Sequence, residues 1–565
     1  MNNELRGSQL PSVRFRTGPL SADLLQVEGY RNLQTFFPTL TKLFRIARWT
    51  HGNEIWMDTR MRIHRIDCSG TAGPCRIALV PNTDVSGTAV AQPVSQKAFL
   101  KVTHLLDPNK WIRGHYSLPK ESGLPWHHKS WMKACQKLQD PGNQAYVETI
   151  AAYALGRIKE EGLSPHFNSF YGGFCARANK YRYNMTDDFH TYRHESWFWK
   201  GYDRATFKFR IYKSATSQEE LTEEEVKAYI EKYKEIDDSG DDSESEEELD
   251  AMDIGEAVEM GSIQSADMSM AGSTASSGSS SGSESEYSYE ESDDYELYAE
   301  IENYPVMLIV SEQNTGTMDM LFNPANRKLV AADADNWERC WAAWVFQIIA
   351  GLSCAQTLLG FTHNDLHTNN IVWSDTEDEF IYYTSRAGQV FRVPTYGKLF
   401  RIIDFGRAIF TINGQMFISD DFKPGNDADG QYCFSPLNQR VVSEIPPNPS
   451  FDLCRLAVSL VDGIFGTIPK KKEGGAVLSS EEDFIVYETT SQLYNMIWSW
   501  MIDDFGENIF VNPDGTERFP DFELYNHIAA HIHRAVPSQQ ISNPVFDEFQ
   551  VASAPAGTKV YSLFC

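Results

Sequence analysis

Two hydrophobic periods alternate along the chain and divide it into recognisable stretches. From Met57 to Lys101 the period is two. MRIHRID alternates, CRIALV is short and rich in branched side chains, and the turn SGTAGP, Ser69 to Pro74, lies between them. These read as two strands, with KAFLKV, Lys97 to Val102, as a further buried strand. The period then becomes helical. In NQAYVETIAAYALGRIKEEG, Tyr146, Ile150 and Tyr153 recur at helical spacing, and SPHFNSFYGGFCAR follows as a loop and a strand. Val306 to Val310 predicts another buried strand, and Trp337 to Gly360 a long helix. DTEDEFIYYTSRAGQVFRVPTYGKLFRII reads as an extended hairpin, PSFDLCRLAVSLVDGIFG as a buried helix, and residues 490–535 as aromatic-rich helical pattern. Near the ends, Leu24 to Ile46 has helical spacing, and the stretch after Ser542 reads as a tail that docks weakly.

The periodicity fails over residues 214–300. An acidic, partly helical start, EELTEEEVKAYIEKYKEIDD, gives way to DDSGDDSESEEELD and then to Ser/Gly/Ala repeats. Too few large apolar residues remain to offset the entropy of ordering such a chain, so a disordered insertion is expected. It is a solvating spacer, a surface for a basic partner, or a target for acid-directed phosphorylation at Ser239, Ser243 and Ser245. It also accounts for the charge. With 28 acidic residues and 3 lysines, the stretch carries −25 of the chain's formal −28, leaving about −3 elsewhere. No broad basic face follows, so nucleic acid is not an expected partner.

At 565 residues there is room for one large two-lobed domain with additions, or for two to four ordinary ones. The nine cysteines contain no CxxC pair, which argues against a disulfide framework or a zinc site and for a reduced intracellular compartment, cytoplasm or nucleus. MNNELRGSQLPSVRFRTG lacks a signal-type apolar core. Ala342 to Phe361 is apolar enough to raise a membrane span, but Gln347, Ser353 and Gln356 interrupt it and Asn364 and Asp365 follow. A buried helix in a soluble protein is the better reading.

Candidate chemistry concentrates between Phe361 and Phe410. FTHNDLHTNNIVW holds Asp365 and, five residues on, Asn370, and KLFRIIDFGRAIF holds Asp404. Two carboxylates and an amide, each after apolar sequence, can grip a divalent cation through hard oxygens and aim a nucleophile. Upstream, Lys101 is a charge set in an apolar strand and needs a partner there, which Glu148 of the predicted helix supplies. Lys97, Glu160 and Glu161 are expected to be solvated. His527, His531 and His533 lack the carboxylate or cysteine company of a metal site.

The order His363-x-Asp365-Leu366-x-x-x-Asn370, followed by Asp404-Phe405-Gly406, resembles the catalytic and metal-binding loops of the protein-kinase superfamily. The resemblance spans roughly residues 56–540. It implies an α+β fold of two lobes, β-rich then helical: a small lobe and hinge over 56–313 interrupted by 214–300, and a large lobe over 314–540. A 1–55 extension and a 541–565 tail flank them. It implies ATP and Mg2+, with Asp365 serving the acceptor hydroxyl and Asn370 and Asp404 holding the metal. Lys101 would meet the phosphates, aligned by Glu148. Gly70 and Gly73 would cover the nucleotide, or Ser86-Gly87-Thr88 would. Ser311, Glu312 and Gln313 would form the adenine hinge, and His363 and Asp452 would support the catalytic loop.

Some positions depart from the family. GxGxxG and APE are absent, Asn364 stands where an arginine is usual, and His367 where many members have lysine. HxDLH is similar to haspin-type protein kinases and to aminoglycoside and choline phosphotransferases, and such sequences occur in large DNA viruses and some protists. Three functions follow: a serine/threonine protein kinase acting on a protein substrate, a small-molecule kinase, or a pseudokinase scaffold acting through its acidic insertion.

Overall fold

The computed structural model describes residues 13, 15, 17–19, 25–44, 55–57, 59–68, 70–81, 92–118, 129–213, 219–234, 295–323, 325–326, 330, 336–435, 437, 444–481 and 484–564. The chain forms two compact units. One comprises Met1–Leu106, Cys135–Ala178 and Pro305–Cys565, and the other Asp107–Ala134 and Asn179–Tyr304.

The first unit is mixed α+β. Its main sheet is built from β1 (Tyr30–Gln34), β2 (Met61–Asp67), β3 (Gly73–Pro81), β4 (Val94–His104) and the parts of β5 (Phe170–Asn184) up to Ala178 and of β6 (Tyr295–Glu312) from Pro305, in the order β1-β5-β6-β4-β3-β2. The β2–β3, β3–β4 and β4–β6 ladders are antiparallel. MRIHRID forms its strand with one irregularity. A register shift between Ile63 and Arg65 turns Arg65 outward and lets Ile66 join Ile63 in the core, which strict alternation would forbid.

Helix α1 (Gln144–Glu160) is buried along most of its length rather than on one stripe. Two glycines permit its close approach to β5. A β-carbon on Gly156 would lie 2.8 Å from Phe170 Cβ, and one on Gly173 would lie 2.5 Å from Thr149 Cγ2. The apolar run that raised a membrane span is helix α2 (Trp337–Leu359), ended by Gly360 in the left-handed conformation at φ 57°. Among the described residues it is the one helix long and apolar enough to cross a membrane, and 83% of its most apolar window is buried inside the protein. Trp344, Phe346 and Ile349 are fully covered, each side chain gaining about 1.5–3 kcal/mol from leaving water. Further along the chain, α3 (Phe451–Ile464) packs against α4 (Gln492–Trp500) and α5 (Glu523–His531).

The strands after α2 form two small sheets. Gly316–Thr317, β7 (Ile371–Asp375) and β8 (Lys398–Ile402) make one. The predicted hairpin, Phe380–Thr384 with Val390–Pro394, lies in the other.

Three expectations about segment boundaries are corrected. Residues 30–34 within the helically spaced 24–46 stretch form a strand paired with β5, and the helix is confined to Thr39–Phe44. The tail is not weakly docked. Val560–Ser562 pairs in parallel with Phe380–Thr384, Ser353 Oγ donates to the Leu563 carbonyl at 2.6 Å, and Leu563 is fully buried. The 214–300 stretch is corrected at its far end. Its acidic start holds a helix, Glu223–Lys234, as its pattern suggested, but Tyr295–Glu300 is a strand paired with Lys208–Lys213 in the second unit. That unit also packs the rings of Phe189, Phe198, Phe207 and Phe209 and surrounds the buried Glu300 with Lys180, Arg182 and Arg210. Ser239, Ser243 and Ser245 lie outside the described residues.

The glycine contacts of α1 yield a test. Gly156→Val should lower stability by about 1–3 kcal/mol, because neither Phe170 nor the backbone at 168–170 has room to retreat. Chemical denaturation would measure it, and an unchanged midpoint would contradict this packing.

Candidate active site

Strand β4 carries Lys101 opposite Ile309, and α1 carries Glu148 beneath it. The Lys101 ammonium donates to Glu148 Oε1 at 2.5 Å and pairs with Asp404 Oδ1 at 2.9 Å. Thr103 Oγ1 adds a longer contact to Glu148 Oε2 at 3.4 Å. Burial disfavours the ammonium, yet the Asp404 and Glu148 carboxylates outweigh it and raise the Lys101 pKa. Burial likewise works against an ionised Asp404, but Lys101 draws its pKa below the ordinary carboxylate value. Lys97 is exposed, as expected, whereas Glu160 is not free in solvent: it pairs with Arg157 and accepts from the Arg60 amide at 3.4 Å.

The loop between α2 and β7 is fixed by its backbone. Asp452, in the first turn of α3 and fully buried, accepts from the His363 amide at 2.9 and 3.0 Å and from the Asn364 amide at 2.9 Å. His363 Nε2 meets the Ile403 carbonyl at 2.8 Å, joining this loop to the segment bearing Asp404. Asn364 and Asp404 both adopt positive φ, 64° and 65°. Such backbone costs of order 1–3 kcal/mol for residues other than glycine and persists where surrounding contacts over-determine it. Asn364 is suited to it. Its buried amide donates to the Arg407 carbonyl at 2.8 Å and accepts from Tyr432 Oη at 2.7 Å.

Asn370 closes a 3-10 turn, Thr368–Asn370, and donates through Nδ2 to the Asp365 carbonyl at 2.8 Å, with His367 Nε2 at 3.2 Å. Its Nδ2 is thus engaged inward, and Asn370 and Asp404 line the same cleft. One amide oxygen and one carboxylate fit magnesium, which keeps waters and substrate oxygens in its shell. Among the described residues no group of three or more His, Cys, Asp or Glu side chains is disposed to hold a metal, and the three histidines of the 527–533 stretch form none. His527 instead meets Asp503 at 3.2 Å, and His533 meets Asp504 at 2.7 Å.

Lys101, Glu148, Asn370 and Asp404 line one cleft of about 540 Å³, walled mainly by apolar groups such as Leu155, Phe170 and Ile309. Ser311 and Glu312 reach it, but Gln313 does not. Gln313 borders a separate shallow depression with Cys75 and Arg76. The Glu312 amide is spent on the Ser169 carbonyl at 3.0 Å, and its carboxylate pairs with Lys159 and with Arg401 at 3.2 Å. Glu312 is therefore a strut at the cleft wall. Of the glycine turn, Ala72 lines the cleft, while Gly70 packs on Gly29, whose β-carbon would lie 2.9 Å from the Gly70 carbonyl oxygen. Gly70 and Gly73 both hold positive φ, 78° and 134°. Ser69 and Ser86-Gly87-Thr88 lie outside the described residues.

Several residues of the site have no signature in the sequence reading. Tyr525 on α5 donates to Asp365 Oδ1 at 2.6 Å. Burial raises the Asp365 pKa, but Arg407 and this hydroxyl more than reverse it, with smaller help from His367 and Arg455. Positive charge absent at Asn364 thus comes from Arg407, directly after Asp404-Phe405-Gly406, and from Arg455, three residues after Asp452. Arg407 could have been suspected from its neighbours, whereas Tyr525, 160 residues from Asp365, could not. A second set holds the start of α1. Asp420 Oδ1 accepts from the Gln144 amide at 3.0 Å and its other oxygen pairs with Lys137. Gln144 Nε2 donates to Asp421, and a β-carbon on Gly406 would lie 3.1 Å from it.

Asp421 gives this second set a pH dependence. Burial, then Asp427 and Asp420 against the pull of Arg407 and Lys137, pushes its carboxyl from 3.8 up to about 8. Between those values the folded protein keeps a proton that the unfolded chain has released, so stability falls as pH rises through the window. Asp421→Asn, neutral throughout, should melt higher than the wild type at pH 8, with the difference shrinking towards pH 5. A difference independent of pH would refute this. No protein-family model matches the chain, and no curated protein matches it.

Proposed function

We propose that this protein is an ATP- and magnesium-dependent protein kinase that transfers the γ-phosphoryl group to serine or threonine hydroxyls of a protein substrate. The observation that carries the reading is the Lys101 ammonium held between Glu148 at 2.5 Å and Asp404 at 2.9 Å on the wall of a cleft that Asn370 also lines. On this reading the sheet containing β2–β4 and the helices α2–α5 with their small sheets are the two lobes of a kinase-like fold.

Each residue then has a role. Lys101 binds nucleotide phosphate oxygens, and Glu148 keeps its ammonium in the cleft. Asn370 and Asp404 hold the magnesium ion, which supplies charge neutralisation for the phosphates when bound. Asp365 orients the acceptor hydroxyl and takes up its proton. The apolar walls receive the base. Catalysis rests on positioning and fixed charge rather than on a covalent protein intermediate. Charge at the acceptor end is supported by Arg407 and Arg455, so the arginine missing at Asn364 is not a sign of an inert site.

Asp365→Asn should lower phosphoryl transfer by about 10²–10⁴-fold while nucleotide still binds, and Asp404→Ala should abolish magnesium-dependent turnover. Radiolabelled ATP with magnesium and mixed protein substrates, set beside sugars, choline and aminoglycosides, is the measurement. Undiminished turnover in Asp365→Asn would overturn the assignment. Transfer only to the small molecules would replace the acceptor class.

A further inference from the structure

We propose that Tyr525 is a positioning residue for Asp365, held by Arg455, and that together they do the work of aiming the carboxylate at the acceptor. The proposal rests on the phosphoryl-transfer reading above and adds to it a residue that no motif contains.

The direction of the hydrogen bonds follows from the groups themselves. Arg455 Nε lies 3.0 Å from Tyr525 Oη, and a guanidinium can only donate, so the phenol oxygen accepts there. Its own hydrogen is then committed to Asp365 Oδ1, 2.6 Å away. Arg455 is itself anchored through Nη1 to Ser459 at 3.2 Å. The result is a one-way chain, Arg455 to Tyr525 to Asp365, ending on a carboxylate. Among the described residues Tyr525 is the only hydrogen-bond donor to that carboxylate, which leaves Oδ2 for an incoming hydroxyl.

The backbone of Asp365 is already fixed. Asp452 holds the amides of the two preceding residues, and Asn370 holds the Asp365 carbonyl. Only the side-chain torsions remain, and those are what the phenol determines. Asp452 and Arg455 stand three residues apart on α3 and thus share a face. One helix therefore sets the loop's backbone through Asp452 and the side chain through Arg455 and Tyr525.

A tyrosine on this oxygen could instead be a plug that the acceptor must displace, but its ring is gripped. Phe522 stacks on it at 5.1 Å and Phe451 lies at 5.8 Å, with the guanidinium groups of Arg407 at 5.6 Å and Arg455 at 5.3 Å from its centroid. His367, two residues past Asp365, turns to Asn370 and leaves the alignment to Tyr525.

The test compares full-length wild type, Tyr525→Phe and Arg455→Met in initial rates with Mg-ATP and protein acceptor, in ATP affinity and in thermal melting. Tyr525→Phe should lose about tenfold in kcat with KM for ATP, ATP affinity and melting temperature unchanged, and Arg455→Met should show the same split to a smaller extent. Should Tyr525→Phe fail to fold, Arg455→Met, which keeps the ring, decides alone. An unchanged kcat overturns the proposal, and a raised kcat overturns it in favour of a plug. Loss of kcat together with ATP affinity or melting temperature overturns it in favour of a structural role. Inactive wild type would bring down the phosphoryl-transfer reading itself, a result separate from all of these.

Discussion

A single ammonium group sits where three parts of the chain meet. Lys101 comes from a strand, Glu148 from the long helix behind it and Asp404 from a loop some 300 residues further on, and the two carboxylates are held in register by the cation between them. Two acids this close would repel in an apolar cleft. The positive charge makes their proximity favourable, and the pKa directions on Lys101 and Asp404 express the same balance. Much of the surrounding architecture serves this meeting. Glycines let α1 lie close to the sheet, Asp420 and Asp421 fix its first turn, and His363 ties the Asp404 segment to the loop that bears Asp365.

A second theme is the use of buried acids as backbone acceptors. Asp452 and Asp420 each receive main-chain N–H groups from another element. A carboxylate accepting such donors forms charge-assisted hydrogen bonds, roughly twice as strong as neutral ones, and fixes direction as well as distance. This suits loops with left-handed backbone at Asn364 and Asp404, whose conformations would relax if left to local preferences. For Asn364 the restraint is direct, since Asp452 accepts from its own amide.

What could be read from sequence follows this division. Short-range chemistry was legible. The spacing of Asp365, Asn370 and Asp404, the lysine in an apolar strand and the glutamate on the next helix need only local pattern, and the structure brings Lys101, Glu148, Asn370 and Asp404 to one cleft. The helix Trp337–Leu359 and the 380–394 hairpin were legible for the same reason. Contacts made across long separations were not. Tyr525 on Asp365, Asp420 at the start of α1, Gly29 under Gly70 and the Glu312–Arg401 pair leave no periodic mark. Which surface Gln313 borders was not legible, because β6 ends at Glu312 and one residue of displacement at a strand end changes the surface a side chain reaches. The irregularity within MRIHRID was not legible either, because a bulge is invisible to a period of two.

The parallel pairing of Val560–Ser562 with Phe380–Thr384 bears on how the molecule is assembled. That contact closes a loop of about 180 residues, so its entropy is lost well before its contacts form, and it belongs to the slow part of folding. Until Leu563 arrives, the Ser353 hydroxyl on the apolar helix Trp337–Leu359 lacks its acceptor, and the edge of Phe380–Thr384 stays open to other strands. Such an edge beside uncovered apolar surface is where a half-made chain sticks to its neighbours. Val560–Ser562 is synthesised about 180 residues after Phe380–Thr384, so this edge goes uncovered for the whole interval between them.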